Sequence, residues 1–258
     1  MNSIQAIILG LVEGLTEFLP VSSTGHLILT ADILGLKDSS FLKNFEITIQ
    51  SGAILAVIFL YWRYLFDFRH VLSKLLVAFI PTGIAGIIFY PFIKNYLLGN
   101  TMVVLWSLLL GGIFLIIFDK YFVDKLKIKS EKIDTINLNQ AVFVGILQIL
   151  SFIPGVSRSA ATIIAGQLIG FNRKLAVEFS FLLAVPTMLV ATAFSLLDNV
   201  DELLFASIWP LALSFIFSFF AAILAIRWFV GLVEKKGFII FGIYRIVLSA
   251  IFFLIFVR

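Results

Sequence analysis

The stretch IWPLALSFIFSFFAAILAI, residues 208–226, contains no charged residue and decides the class of this protein. A helix of about 20 apolar residues crosses a hydrocarbon core about 30 Å thick, so this segment is predicted to span a membrane. Five further stretches have similar length and character, at residues 45–62, 75–93, 102–118, 178–197 and 238–257. The sequence therefore predicts an all-α integral membrane protein with six transmembrane helices.

The overall composition agrees with that class. Of the 258 residues, 61% are hydrophobic and 13% are charged, whereas soluble chains carry about 25% charged residues. The chain has no cysteine, which excludes disulfides, thiolate nucleophiles and cysteine-ligated metals. Its net charge of +4 is typical of the signals that orient membrane proteins and does not indicate nucleic-acid binding.

The sequence repeats itself in two halves. Corresponding residues are offset by 135 positions, with a shift of one around the proline. Gln5-Ala6, Gly10, Phe18-Leu19-Pro20 and Ser22-Ser23 correspond to Gln140-Ala141, Gly145, Phe152-Ile153-Pro154 and Ser157-Arg158. Three long apolar segments follow each series, so we predict two repeats, residues 1–130 and 131–258, within one membrane domain.

The opening segment of each repeat has an unusual length. Residues 4–34 and 139–170 exceed one ordinary span, and Pro20 or Pro154 interrupts each at a point where helix is disfavoured. Polar residues follow, and broken backbone within a membrane is stable only where protein or water surrounds it. We therefore predict two re-entrant helix–loop–helix hairpins with tips near the middle of the membrane. The alternative is one kinked spanning helix in each repeat.

The distribution of basic residues predicts an orientation. If the hairpins return to their side of entry and the other segments cross, one side holds Arg63, Arg69, Lys74, Lys120, Lys125, Lys127, Lys129, Lys132, Arg173, Lys174, Arg227, Lys235 and Lys236. The other side holds Lys37, Lys43, Lys94 and Arg258, with the acidic residues Asp198, Asp201 and Glu202. Basic residues concentrate on the cytoplasmic side, so both termini are predicted to lie outside. The hairpins then enter from opposite sides, as in an inverted-topology repeat with its site between the halves.

Few ionisable residues lie within the predicted membrane region, and such residues are functional candidates. They are Glu13, Glu17, His26, Glu46, Arg158, Glu178 and Arg245. Glu13 and Glu17 are four residues apart, so their carboxylates share one face of a helix near its negative C-terminus. Two adjacent carboxylates require protonation, Arg158 or a divalent cation, and Mg²⁺ or Ca²⁺ suits such ligands. Gln148 stands where the first repeat has Glu13 and is predicted to hydrogen-bond within the site.

The polar loops of the two hairpins are predicted to bind an oxyanion. Ser22 or Ser23 can cap the helix that follows the first loop, and Ser157 begins the same pattern in the second. Helix N-termini attract phosphate, and Arg158 adds a guanidinium that binds phosphate through paired hydrogen bonds. With the acidic pair and His26, these groups supply what phosphoryl transfer requires. The structural alternatives are hydroxyls bonded to backbone carbonyls and a buried ion pair that serves only the fold.

At these residues the sequence resembles the undecaprenyl-pyrophosphate phosphatase family, also called the bacitracin-resistance BacA or UppP family. The two main signatures are EGLTEFLPVSSTGH at residues 13–26 and PGVSRSAAT at residues 154–162. Weaker similarity lies in FEITIQSGAILAV at 45–57, FSFLLAVPTML at 179–189 and YRI at 244–246. The resemblance covers nearly the whole chain. It implies a hydrolase that converts undecaprenyl pyrophosphate to the monophosphate and phosphate, for peptidoglycan synthesis at the bacterial plasma membrane.

The resemblance also implies roles for individual residues. The implied catalytic residues are Glu13, Glu17, Ser23, His26 and Arg158, with Glu13 and Glu17 as ligands of a divalent cation, Mg²⁺ or Ca²⁺. The implied phosphate-binding residues are Ser22, Thr24, Gly25, Ser157, Arg158, Ser159 and Thr162. We prefer Ser23 as the nucleophile, with His26 as its base or as a general acid; attack by water or by His26 itself stays open. The chain departs from the family at Ala160, where Gly is usual.

A transporter is the rival prediction, because inverted repeats with broken helices are the architecture of many secondary transporters. Such a protein would move lipid or an anion across the membrane. A structural subunit without activity is the third alternative. The expected partners are the lipid pyrophosphate and membrane lipids, with no nucleic acid, and the sequence leaves a homodimer open. The active site is expected to face the outside.

Overall fold

The computed structural model describes residues 1–36, 39–67, 71–97, 100–198 and 208–256, which are almost entirely helical. The first half contains α1 (Ser3–Thr16), α2 (Ser23–Ile33), α3 (Ser40–Leu65), α4 (Ser73–Phe92) and α5 (Thr101–Tyr121). The second contains α6 (Leu138–Gln148), α7 (Arg158–Leu168), α8 (Arg173–Asp198), α9 (Ile208–Lys236) and α10 (Ile239–Phe256). Of the charged residues that predicted the orientation, Lys37, Arg69, Asp201, Glu202 and Arg258 lie outside the described residues.

Five of these helices are long and apolar enough to cross a membrane. They contain the spans Phe45–Leu65, Ser73–Phe92, Thr101–Tyr121, Arg173–Phe194 and Ile208–Val233. The protein is therefore an all-α integral membrane protein that crosses the membrane several times. The sixth predicted span is shorter, Ile239–Ile255, and at 1.5 Å per residue it reaches about 26 Å. The total of six spans stays a prediction.

Each half opens with two helices whose outer ends meet. Gln5 Nε2, in the first turn of α1, donates to the carbonyl oxygen of Leu34 after α2, at 3.2 Å. Gln140 Nε2, in the first turn of α6, donates to the carbonyl oxygen of Ile169 after α7, at 3.3 Å. The chain therefore returns to its starting level in both pairs, as a hairpin requires. The depth of the hairpin tips in a membrane stays a prediction.

A break in the helix separates the two members of each pair. Helix α1 ends at Thr16 and α2 begins at Ser23, while α6 is followed by a 3₁₀ turn and α7 begins at Arg158. Proline, which lacks an N–H group, lies in each break, and Gly155 adopts a φ of 92° in the second. The chain path differs from the alternative of one kinked spanning helix, because each segment forms two helices joined by a loop.

Each hairpin packs against a helix of the other half. Helix α1 lies along α9, and its counterpart α6 lies along α4. Glycine allows this approach, since a Cβ at Gly10 would overlap the backbone of Ser214 and a Cβ at Gly145 would overlap that of Ala78. Because each hairpin packs against the opposite half, the two hairpin loops lie next to each other between the halves. The division at residue 130 and the inverted orientation stay predictions.

Candidate active site

The two hairpin loops meet and together line most of a pocket with a volume of about 240 Å³. Glu17, Ser22, Ser23 and Thr24 line it from the first hairpin, and residues 151 and 153–158 line it from the second. The helices α2 and α7 both begin at this pocket, and the first N–H groups of a helix have no acceptor within the helix. Because two helix N-termini attract anions, the pocket suits a phosphate group.

One ion pair joins the two loops. Arg158 Nη2 lies 2.9 Å from Glu17 Oε1, and the two side chains are only 9% and 7% exposed. A charge-assisted hydrogen bond is strong in such surroundings, and loss of one partner from a buried pair costs about 3–5 kcal/mol. The sequence predicted that the acidic pair needs a cation, and Arg158 provides that cation for Glu17.

Further contacts fix the guanidinium of Arg158. Nη1 donates to the carbonyl oxygen of Ser180 in α8 at 3.1 Å, and the guanidinium lies over the ring of Phe18, 5.6 Å from its centroid. Thr162 supports this arrangement, with its Oγ1 atom 2.6 Å from Ser180 Oγ. The Nε atom of Arg158 is buried and has no acceptor among the described residues. Arg158 thus retains one unsatisfied N–H donor in a side chain that lines the pocket.

Ser23 lies against the same carboxylate. Its Oγ atom donates to Glu17 Oε2, the oxygen that Arg158 leaves free. Ser22 precedes it as the N-cap of α2, where its Oγ accepts from the N–H of Gly25 at 3.4 Å, with φ at 70° and ψ at 95°. A serine hydroxyl that donates to a carboxylate has the arrangement of a nucleophile and its base.

His26 lies in the first turn of α2, and both of its ring nitrogens have partners. Nδ1 lies 2.8 Å from the carbonyl oxygen of Ser22, and Nε2 lies 2.6 Å from the hydroxyl of Tyr244. The sequence predicted His26 as the base for Ser23, but in the structure the carboxylate of Glu17 holds that position. The role of His26 as a general acid stays a prediction.

The serines of the second loop hold the two loops together. Ser159 Oγ donates to the carbonyl oxygen of Leu19 at 2.7 Å, and Ser157 Oγ donates to the same oxygen at 3.3 Å. Ser157 also caps α7 by accepting from the N–H of Ala160 at 3.3 Å, so alanine at that position leaves the cap intact. The Ser159 hydroxyl is therefore bonded to a backbone carbonyl, which is the structural alternative to binding phosphate.

Only some of the predicted phosphate-binding residues reach the pocket. Its walls include Ser22, Thr24, Ser157 and Arg158, whereas Gly25, Ser159 and Thr162 do not line it. The hydroxyl of Thr162 lies 3.0 Å from the carbonyl oxygen of Arg158 and donates to it. The residues outside the lining thus shape the loops, and their prediction as direct phosphate ligands has no support from the pocket geometry.

A second buried arginine connects both loops to the outer helices. Arg245 in α10 is 1% exposed. Its guanidinium donates to the carbonyl oxygens of Pro20 at 3.3 Å and Gly155 at 2.8 Å, one in each loop. It also donates to Ser107 at 2.9 Å and Leu108 at 3.4 Å in α5. This side chain therefore fixes the position of the two loops relative to α5 and α10.

Glu13 has the least satisfied carboxylate of the site. It is fully buried, and neither oxygen has a hydrogen-bond partner among the described residues. Its counterpart Gln148 donates to the hydroxyls of Thr82 at 3.1 Å and Thr187 at 3.0 Å. Within the described ranges, no three His, Asp or Glu side chains form a metal site by themselves. Glu13 and Glu17, one helical turn apart, would nevertheless offer the carboxylate oxygens that a hard cation such as Mg²⁺ or Ca²⁺ prefers.

Three residues of the site were not predicted to be functional. Gln50 lines the pocket, Ser180 accepts from Arg158, and Tyr244 contacts His26. Each lies in one of the weaker stretches of family resemblance, 45–57, 179–189 or 244–246. That resemblance was the signal that could have identified them.

The fold and the site together define an integral membrane protein with a polar pocket suited to phosphoryl transfer. Its serine, carboxylate and arginine come from two helix hairpins of the membrane domain. The chain belongs to the family described as Bacitracin resistance protein BacA, which matches residues 6–251. The family resemblance of the sequence is thereby confirmed.

Similar proteins are found in several bacteria. An undecaprenyl-diphosphatase of Aquifex aeolicus (strain VF5) is 47% identical over 253 residues, which cover 98% of both chains. An undecaprenyl-diphosphatase of Campylobacter jejuni subsp. jejuni serotype O:23/36 (strain 81-176) is 48% identical over 98% of this chain and 94% of its own. An undecaprenyl-diphosphatase of Sulfurihydrogenibium sp. (strain YO3AOP1) is 43% identical over 98% of this chain and 99% of its own.

Proposed function

We propose that this protein hydrolyses undecaprenyl pyrophosphate to undecaprenyl phosphate and inorganic phosphate, and so recycles the lipid carrier of peptidoglycan synthesis. The observation that carries the proposal is the carboxylate of Glu17, which accepts from Ser23 and pairs with Arg158. A nucleophile, a proton acceptor and a cation for phosphate are therefore adjacent in one pocket. The names of the three relatives support the substrate and give no support to the transporter alternative.

The first step transfers the terminal phosphoryl group to Ser23. Glu17 takes the proton of the serine hydroxyl while Oγ attacks the terminal phosphorus. A bond between Oγ and phosphorus forms, and the bond from that phosphorus to the bridging oxygen breaks. The electron pair stays on the bridging oxygen, which leaves as part of undecaprenyl phosphate. Arg158 and the N-terminal N–H groups of α2 and α7 stabilise the charge of the phosphoryl oxygens.

The second step releases inorganic phosphate. Water attacks the phosphorus of the phosphoserine, and one proton of that water passes to solvent. Protonated Glu17 returns its proton to Ser23 Oγ as the bond between Oγ and phosphorus breaks. Both the serine hydroxyl and the carboxylate are then restored, so Glu17 acts as base in the first step and as acid in the second.

A divalent cation, Mg²⁺ or Ca²⁺, is the cofactor that we propose. Glu13, together with Glu17, would hold it close to the pocket. When bound, the cation neutralises negative charge on the phosphate oxygens. The unpartnered carboxylate of Glu13 supports this assignment.

We propose the bacterial plasma membrane as the location, with both termini and the pocket towards the outside. The concentration of basic residues in loop 120–132 supports this orientation. In that orientation the pocket would receive lipid pyrophosphate from the outer leaflet.

The test is phosphate release from a defined polyprenyl pyrophosphate by the purified protein in detergent, with and without chelator. Detergent removes the two compartments that transport requires, so released phosphate reports hydrolysis. Ser23→Ala should lower kcat by at least about a hundredfold. Ser249→Ala is the matched control, because Ser249 Oγ donates to the Leu105 carbonyl away from the pocket, at 2.9 Å. No release by wild type would refute hydrolysis, and equal rates for wild type and Ser23→Ala would refute the serine mechanism.

A further inference from the structure

We infer that Tyr244 is a positioning residue for the reaction, which acts through His26 on the backbone of Ser22 and so on Ser23. The inference rests on the proposed function, because it concerns the placement of the serine nucleophile. His26 is then a positioning residue as well, and the series of contacts from Tyr244 through His26 to Ser22 is called the positioning chain. The hydrogen bond between the two side chains joins residues 218 positions apart.

The hydrogen bonds around His26 have a defined direction. The carbonyl oxygen of Ser22 can only accept, so Nδ1 of His26 donates the bond of 2.8 Å. In the neutral imidazole Nε2 then carries no proton and accepts the bond of 2.6 Å from the Tyr244 hydroxyl. The two rings are parallel to within 4°, with centroids 5.5 Å apart. The Ser22 carbonyl therefore sets the tautomer of His26, and the bond to Tyr244 holds the orientation of its ring.

The carbonyl oxygen that accepts from His26 belongs to Ser22, a residue with a strained backbone conformation. Ser22 has a φ of 70° and is the only residue other than glycine in the left-handed region within the described part of the chain. Such a conformation is strained and persists only when its surroundings hold it. His26 holds the Ser22 carbonyl twice, through Nδ1 and through its backbone N–H at 3.3 Å. The next residue, Ser23, then places its hydroxyl against Glu17.

Helix α10 contacts both ends of this loop through neighbouring residues. Arg245 binds the carbonyl oxygen of Pro20, and Tyr244 binds His26 four residues after Ser22. The ring of Tyr244 also borders an apolar groove of about 540 Å³ between α1, α9 and α10. Replacement by phenylalanine would keep the ring in that groove and remove only the hydroxyl. The substitution therefore tests the hydrogen bond with little change in packing.

This arrangement predicts which substitutions preserve the role of His26. An asparagine side chain has an N–H donor close to the position of Nδ1, so His26→Asn can keep the bond to Ser22. Alanine offers no donor. If His26 served as the base for Ser23, asparagine and alanine would be equally inactive, because neither accepts a proton at neutral pH.

The experiment measures kcat, KM and thermal stability of purified variants with a polyprenyl pyrophosphate in detergent. We expect Tyr244→Phe to lower kcat about tenfold, with KM within about twofold and an unchanged Tm. His26→Asn should be about tenfold more active than His26→Ala. In the His26→Ala background, Tyr244→Phe should have no further effect, since residues acting in one chain are not additive. Tyr121→Phe, with a ring exposed on α5, is the control and should match wild type.

Three results would overturn the inference while the proposed function stands. One is a wild-type kcat for Tyr244→Phe, and another is an equal loss from that change in the presence and absence of His26. Equal activity of His26→Asn and His26→Ala would likewise remove His26 from the positioning chain. Absence of hydrolysis by wild type and by Tyr121→Phe would instead be a failure of the proposed function.

Discussion

Glu17 and Arg158 are 141 positions apart in the chain and form a hydrogen bond of 2.9 Å. One oxygen of the Glu17 carboxylate belongs to this bond, and the other accepts from Ser23. The ion pair therefore sets the orientation of the group that contacts the proposed nucleophile. It also requires both hairpins, so neither half of the chain forms the site alone.

The first prediction concerns the planar shape of the Arg158 guanidinium. Its Nη2 atom reaches Glu17 while Nη1 reaches Ser180, and the single ammonium of lysine cannot reproduce this fork. Arg158→Lys should lower kcat/KM by at least about tenfold, measured as phosphate release. Arg173→Lys is the control, because Arg173 pairs with Asp119 at 3.0 Å outside the pocket. Activity within about twofold of wild type in Arg158→Lys would remove Arg158 as the phosphate-binding cation.

The second prediction concerns the contribution of Arg245 to the stability of the fold. This buried side chain donates to four carbonyl oxygens, and each unsatisfied buried acceptor costs about 1–3 kcal/mol. Lysine has all its donors on one atom, so Arg245→Lys should lower the free energy of unfolding by about 2–4 kcal/mol. Thermal unfolding in detergent should show a lower Tm than for Arg173→Lys. An unchanged Tm would show that the four contacts do not support the fold.

The third prediction concerns orientation in the membrane. The protein has no cysteine of its own, so single cysteines can be labelled against a clean background. Lys127→Cys and Asp201→Cys should react from opposite sides, with Asp201→Cys accessible from outside, because the basic residues of loop 120–132 favour the cytoplasm. Impermeant thiol reagents on intact cells provide the measurement. Labelling of both positions from one side would contradict the six-span topology and the inverted repeat.

Much of the fold follows from local features of the sequence. Long apolar stretches predict the spanning helices because their length matches the membrane. Pro20 and Pro154 predict the breaks between paired helices, since proline cannot continue the hydrogen bonding of a helix. The serine caps of α2 and α7 are equally local, because a cap needs only the N–H groups of the next turn. The prediction of broken helices therefore needed no knowledge of tertiary contacts.

The site was less predictable because its contacts depend on tertiary packing. Ser159 and Thr162 were assigned to phosphate by the family resemblance, yet their hydroxyls donate to the backbone carbonyls of Leu19 and Arg158. The base for Ser23 was assigned to His26 by proximity in sequence. The positive φ of Ser22, together with Tyr244, turns His26 to other partners. Neither a strained dihedral angle nor a contact across 218 positions can be inferred from spacing along a helix.

The last prediction distinguishes the two carboxylates. The sequence assigned both Glu13 and Glu17 to a divalent cation, but Glu17 already has Arg158 and Ser23 as partners. Glu13 has none among the described residues, so it should contribute most of the affinity for metal. Glu13→Gln should therefore raise the Mg²⁺ or Ca²⁺ concentration needed for half-maximal rate, whereas Glu17→Gln should mainly lower kcat.

The repeat offers a reason to expect that Glu13→Gln folds. Glutamine occupies the equivalent position in the second half, where Gln148 donates to the hydroxyl of Thr82. The residue of the other half that corresponds to Thr82 is Ser218, 136 positions later. The same offset relates Ala78 to Ser214, the residues against which Gly145 and Gly10 pack. The buried hydroxyl of Ser218 has no partner in the described structure and could accept from the new amide. An unchanged Tm without metal would confirm that the variant folds. Added Mg²⁺ or Ca²⁺ should then raise the Tm of wild type and Glu17→Gln but not of Glu13→Gln, because only a bound ligand stabilises the native state. Equal stabilisation of all three proteins would exclude Glu13 as a metal ligand. Protonation of Glu13 would then be what removes the repulsion between two buried carboxylates one helical turn apart.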